Sequence, residues 1–557
     1  MISVPIKNHF SSNCCYKKSY YRMKQLMKIS LVGLLTLSLA GVFSACDEEE
    51  QLGTPDRLFR PVVKETSYSG TWIRMEWDRY EGAETFQLQL SVDSFATVLS
   101  EVETDTTFYL FEDLDYDTEY QIRVRSIGSL LSSEFFVAEN ITTSDYPTKL
   151  VSPGAEDVID NRARIRWEEA VYDSLRVFRN DTLQFTMALS EAENTAGQVV
   201  LRGLVPEQPY IVRAYADGEY MGKKAFATLA PEVFEGAVVD LREYTNEESY
   251  SLLKADSVAA WEALYPEGYT VVLAGGATYS IDTGIEFATN VRFVTGLSLD
   301  GFARFAISSN FDAAAGAQLD YLRFEKVVFT EHVDKPKEGD HFGSTYVFNF
   351  GTGGANVGEL VFENCDIRYK RGVIRMKSPT TLGRFVMNNC VVDSISGYGV
   401  LNLDNDQVVC GDIVVSNSTI GHAQKFIVAR KAISLESVTL ENVTTYHTPN
   451  GSGDYFLDLE NKSVPGGVLV KNSLFGPAWT SEVARGIRSM DASITIDKSY
   501  RTSDLKWGLD ENNNLIYPLD LTDSGKTSVE TFADVDNNDF TLIDKSLSGS
   551  VGDPRWW

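Results

Sequence analysis

Apolar and polar positions alternate in short runs through the first part of the chain. Ile73-Arg74-Met75-Glu76-Trp77 is one such run, and Phe86-Gln87-Leu88-Gln89-Leu90 and Tyr120-Gln121-Ile122-Arg123-Val124-Arg125 are others. A period of two, broken by Asp, Gly and Ser turns, predicts half-buried strands of an antiparallel sandwich. The pattern recurs further on. Ala163-Arg164-Ile165-Arg166-Trp167 matches the first tryptophan strand, and Leu204 to Arg213 matches the stretch from Leu114 through Tyr120. After Pro231 the pattern changes. Residues 256–265 read as a helix with Asp256 as N-cap, and Gly268 to Gly276 then opens a strand-rich region that persists almost to the end.

That region repeats. Leu360-Val361-Phe362-Glu363-Asn364-Cys365 aligns with Phe385-Val386-Met387-Asn388-Asn389-Cys390, and further copies end on Asn417, Asn442 and Asn472. The asparagines are 25, 28, 25 and 30 residues apart, with Lys326 and Lys498 in the equivalent place of flanking copies. One such repeat cannot bury its own apolar face, so repeats must stack as coils of a solenoid. Asparagine tolerates left-handed backbone and can bond to the next coil, so the column is read as structural turn chemistry. Cys365 and Cys390 should stack as buried thiols.

Together these patterns predict an all-β chain: two sandwiches at 56–146 and 147–230, then a parallel β-helix with an N-terminal cap helix at 235–557. Trp77 and the Leu114 to Tyr120 corner resemble the fibronectin type III family, in which a tyrosine hydroxyl ties the chain back. The cap helix and coils resemble right-handed parallel β-helices of the pectate lyase type. Gly552-Asp553-Pro554-Arg555-Trp556 resembles the close of an uncharacterised C-terminal domain family of Bacteroidetes lipoproteins found in pectin-utilisation loci.

The N-terminus reads as a leader. Lys24 and Lys28 precede an apolar run at 29–42, too short to span a membrane comfortably, and Phe43-Ser44-Ala45-Cys46 ends it. This resembles a lipobox: residues 1–45 form the signal peptide, with 1–22 a mis-called extension, and the expectation is cleavage before Cys46 and lipidation of its thiol. Asp47-Glu48-Glu49-Glu50 opens an acidic linker over 46–55 and resembles a surface-export signal. The expected location is therefore the outer membrane, lipid-anchored and facing outward. Net charge is −29, which argues against nucleic acid as a partner. Of six cysteines, Cys365, Cys390 and Cys410 fall in the folded region without a CxxC pair, which argues against a disulfide framework or a zinc site.

Alternation also builds an outer surface. With Ile374 and Met376 inward, Arg375 and Lys377 point out. Aligned coils give one column of Asn349, Arg375, Asn402, Val428 and Asp458, and a second of Gly351, Lys377, Asp404, Arg430 and Glu460. The second column alternates in charge, which cross-strand pairing alone would explain, and its competing reading is a mixed polar groove for a uronate, with Asp404 and Arg430 among the ligand-binding residues together with Asn349, Asn402 and Asp458 of the first. The first is read as a carboxylate receptor centred on Arg375, with neutral neighbours Asn349 and Asn402 in its column and with Arg368 and Arg371 of the basic run Arg368-Tyr369-Lys370-Arg371 nearby. An inserted loop at 331–341, with His341, Phe342 and Tyr346 in or beside it, would form a groove wall, and Trp479 and Trp507 would offer stacking faces. The resemblance implies an acidic plant polysaccharide of the pectic type as ligand and a glycan importer complex as partner. Three readings stay open: a glycan-binding lipoprotein, a polyuronate lyase or hydrolase, and an adhesin without a sugar ligand. Calcium, bridged by Asp404, Asp406 or Asp458, is the candidate cofactor. Gly421-His422-Ala423 resembles a polygalacturonase histidine element only faintly, with no paired-aspartate motif beside it.

Overall fold

The structure is a computed structural model and describes residues 56–331, 342–460, 462–489 and 491–557. The leader, Cys46 with its acidic run, and the loop containing His341 lie outside the described residues. Two compact units result, divided at Ser144 and Asp145.

In the first unit the expected alternation holds. Ile73, Met75 and Trp77 of Trp72–Trp77 point inward, as do Phe86, Leu88 and Leu90 of Thr85–Ser91, and they share one core with Tyr120, Ile122 and Val124. The Tyr120 hydroxyl accepts a hydrogen bond from the Asp115 amide at 3.0 Å, which pins the chain corner. The same device recurs at the start of the second unit, where the Tyr210 hydroxyl accepts from the Val205 amide at 2.8 Å beside buried Trp167.

The rest of the second unit is a β-solenoid of about nine turns. Each coil contributes strands to three parallel sheets, and the aligned pairs lock the coils in register. The helix Ala255–Leu264 covers the first coil, with Trp261 against Tyr269. Lys254 is its N-cap, so Asp256 sits inside the first turn rather than at the cap. Aromatic side chains from successive coils stack inside: Phe293 on Phe324 at 5.3 Å and Phe324 on Phe362 at 5.5 Å between ring centres. Burying a phenylalanine contributes about 1.5–3 kcal/mol, and in a stack each ring is buried by its neighbours above and below. Cys365 and Cys390 do stack, with the Cys390 sulfur accepting from the Cys365 amide, and burial pushes the Cys365 thiol up.

The asparagine column forms the first corner of each coil. Lys326, Asn364, Asn389, Asn417, Asn442, Asn472 and Lys498 all have φ between 43° and 55°. Asn442 Nδ2 donates to Asn417 Oδ1 at 2.9 Å, and Asn389 Nδ2 donates to Asn364 Oδ1. A second left-handed corner follows five residues later in four coils, at Tyr369, Ser394, His422 and His447.

Beyond Ser528 the chain leaves the stack and returns along the asparagine corner, where Phe532, Phe540 and Val551 pack on Tyr446 and Leu474. The Gly552 amide donates to the Asn472 carbonyl at 2.8 Å, Thr419 Oγ1 donates to Asp553 Oδ2 at 2.8 Å, and Arg555 Nη2 donates to the Asn389 carbonyl at 2.7 Å. Trp556 Nε1 donates to Thr419 Oγ1 at 2.7 Å.

Candidate functional site

Strand pairing sets one column of Asn349, Arg375, Asn402, Val428 and Asp458 on the third sheet, as the alternation implies, and extends it to Arg488. Asn402 and Val428 are nevertheless buried, so this column is not an open polar ladder. Arg375 corrects the expectation of an unneutralised charge. Its Nε and Nη2 donate to Asp404 Oδ2 at 3.0 and 2.7 Å. The same carboxylate takes Lys431 Nζ at 2.7 Å. Burial pushes the Asp404 carboxyl up, but the bonds from Lys431 and Arg375 outweigh it and hold it below the usual range. Asp458 is likewise held by Arg488, at 2.7 Å from Nε, and by Arg430 at 3.5 Å. Carboxylates neutralised twice over do not fit a calcium site, which calls for six to eight oxygen ligands. Among the described residues, no group of three or more His, Cys, Asp or Glu side chains could hold a metal ion.

Arg371 is different. It is exposed, and no carboxylate lies within ion-pair distance of it among the described residues. Its guanidinium lies over the Tyr398 ring at 4.7 Å and near the Tyr346 ring at 5.7 Å. The two tyrosines meet edge to face at 5.2 Å, and Gly372 makes the packing feasible, since a Cβ there would come within 2.8 Å of Tyr398 Cβ. Burial raises the Tyr346 phenol against the pull of Arg375 and Arg371, so it stays a neutral donor. Arg371 and Tyr398, with Gly343, Ser344, Ser396, Gly397 and Gln424, line a cleft of about 440 Å³. Arg375 also lies over the Tyr398 ring, at 4.6 Å, so what the cleft offers a ligand is the Arg371 guanidinium fork, which can take a carboxylate.

The basic run does not act as one patch. The left-handed corner at Tyr369 splits it. Arg368 stays on the preceding strand face, where Nε donates to Asp366 at 2.6 Å. Lys370 turns fully inside, at the position occupied by Ile395 and Ala423 in the next coils. There its Nζ donates to the Ile307 carbonyl at 3.1 Å and lies 3.7 Å from buried Glu331. Of the tryptophans, Trp479 stacks on Phe342 at 5.3 Å and Trp507 packs edge-on against core Phe456.

The second corner gathers a cluster around His422, which residue order offered only as a faint histidine element without partners. His422 Nδ1 lies 3.0 Å from Asp393 Oδ2, and the His422 ring meets His447 at 5.0 Å and Trp479 at 5.5 Å. Burial pushes the Asp393 carboxyl up, yet bonds from His422 and Ser394 outweigh it and hold it low. Burial, then His422, drops His447 to about 4. A hollow of about 640 Å³ lies beside His447, Trp479 and Asp504. The signal was the constant offset: each of these corners falls five residues after a repeat asparagine.

Residues 277–423, which span the coils carrying Arg371, Arg375 and Asp404, match the family described as Domain of unknown function (DUF4957). No curated protein matches the chain. Among solved structures, a two-domain fibronectin type III segment of chicken tenascin is 21% identical, covering 30% of this chain and 98% of that one, with a TM-score of 0.19. The FN1–FN3 domains of chicken CNTN1 are 16% identical, covering 32% of this chain and 69% of that one, with a TM-score of 0.15. A structure titled FN3tt mut is 25% identical, covering 15% of this chain and 93% of that one, with a TM-score of 0.14.

Proposed function

We propose that the solenoid binds an acidic polysaccharide, of the pectic type, in the cleft over Arg371. The supporting observation is the exposed guanidinium without a carboxylate partner, set against Tyr398 in a cleft of about 440 Å³. Arginine presents a planar fork that matches a carboxylate, and the Tyr398 ring beneath it holds that fork in place. The chain's net charge of −29 opposes a polyanion at long range, so binding rests on these short contacts. In this reading Cys46 carries lipid, the chain faces outward from the outer membrane of a Bacteroidetes cell, the sandwiches hold the solenoid away from the surface, and a glycan importer receives what it captures. Calorimetry with galacturonate oligomers tests the site. Arg371→Ala should lose about 1.5–3 kcal/mol of binding, tenfold or more in affinity, with unchanged circular dichroism. A folded variant with native affinity refutes it. Unsaturated uronate absorbance appearing in the same mixtures would mark a lyase instead of a binder.

A further inference from the structure

The arrangement around Arg371 recurs on the same sheet. Tyr346 lies beneath Arg375 and beside Tyr398, two coils on. Tyr455 lies beneath Arg488 at 4.7 Å and beside Tyr517, with ring centres 6.0 Å apart. In both, the second arginine is tied down by an acid: Arg375 by Asp404, and Arg488 by Asp458 and, at 3.9 Å, Glu460. In both, another arginine lies on the same tyrosine with no carboxylate at ion-pair distance among the described residues. In the first cluster it is Arg371. In the second it is Arg485, which lies 5.3 Å from the Tyr455 ring centre and whose Nη1 donates to the Tyr455 hydroxyl at 3.1 Å; its Nε is buried, so a ligand would meet the Nη end of the fork. The Arg485 amide donates to the Asp454 carbonyl at 2.9 Å, and the guanidinium acts on the Asp454 carboxyl through space without an ion pair.

Register fixes the distance between the clusters. Arg375 is followed in its column by Asn402, Val428, Asp458 and Arg488, four strand spacings in all. At about 4.8 Å per strand that is roughly 19 Å along one flat sheet. A single sugar cannot touch both clusters, whereas a linear chain bearing carboxylates at intervals can.

We infer that Arg485, on Tyr455, is a second carboxylate receptor, and that the ligand is a linear polyanionic sugar chain held at Arg371 and Arg485 at once. This rests on the reading of Arg371 given above. Two weak contacts on one polymer reinforce each other, because the second closes within the first complex. Binding therefore rises steeply once the chain spans the gap.

The test compares digalacturonate with polygalacturonate on purified protein by calorimetry, in the native chain and in Arg485→Ala and Arg371→Ala. The polymer should bind the native protein at least about tenfold more tightly per chain than the dimer. Arg485→Ala should erase most of that gain and leave the Arg371 contribution standing. Arg485→Lys keeps the stem and the charge but loses the fork, so it should also lose the gain, and it serves if the alanine variant melts early. A polymer gain that persists in both Arg485 variants overturns the second receptor and leaves the first in place. Native affinity for both probes in Arg371→Ala overturns the first receptor and, with it, this one.

Discussion

Two columns run along the same coils and obey opposite rules. At the first corner nearly every coil presents asparagine in the same left-handed geometry, and side-chain amides bond from coil to coil. On the third sheet no single residue type runs through a column: Tyr346 is followed by Gly372 and Gly399 in one, and Asn349 by Arg375, Asn402 and Val428 in another. The corner serves each coil equally, so each coil needs the same residue. The arginine–tyrosine face is interrupted, and where it breaks the repeat it leaves exposed charge that packing does not require. Repetition in a solenoid thus marks what holds the stack, and departure from it marks where a ligand could act.

That contrast can be broken most forcefully from inside. Phe362→Ala removes a ring between Phe324 and Phe385 and should cost about 3–5 kcal/mol, read as a lower midpoint in urea. A loss under about 1 kcal/mol would mean the stack is not what holds the coils.

Next in size is pH. His447 is half-buried with its pKa lowered to about 4, while an unfolded histidine titrates near 6.5. Between those values the unfolded chain binds the extra proton, so stability rises with pH through the window and is flat above it. Going from pH 7 to pH 4 should cost up to about 3 kcal/mol, and His447→Asn should flatten the slope. An unchanged slope in that variant would show that the corner cluster does not titrate this way.

Arg375→Ala sharpens the division of labour on the third sheet. It strips Asp404 of a two-point partner and should destabilise the fold by about 1–3 kcal/mol in thermal melts. Its effect on ligand affinity should be smaller than that of Arg371→Ala. The reverse order would return the receptor to Arg375.

The smallest effect is at the corner. Asn417→Ala should cost about 1–2 kcal/mol through a strained φ and a lost amide bond, and Asn417→Gly should recover the part due to φ. Ligand affinity should not move in either.

Much of this architecture was legible in residue order because a solenoid converts sequence period directly into space. Ile374 and Met376 gave the inward face, and from them the column through Arg375 followed coil by coil. What escaped was every contact made across that column. Asp404 reaches back one coil to Arg375, and alternation places a side chain on a face without saying how far it leans. Lys370 reads as part of a basic surface run, yet the corner at Tyr369 rotates the next residue into the core. Residues adjacent in sequence thus part company at a left-handed turn, and the partners of His422 at Asp393, His447 and Trp479 stayed hidden for the same reason.

The returning segment has a consequence for how the molecule is made. Residues 552–556 hold the corner at Asn389, Thr419 and Asn472, all of which leave the ribosome earlier. The coils can wind in order as they emerge, but their flank stays unlatched until residues 552–556 have followed. A chain without residues 528–557 would carry every coil and still expose Tyr446 and Leu474 to water and to proteases. The flank of the solenoid is thus closed by the chain itself, in an order set by synthesis.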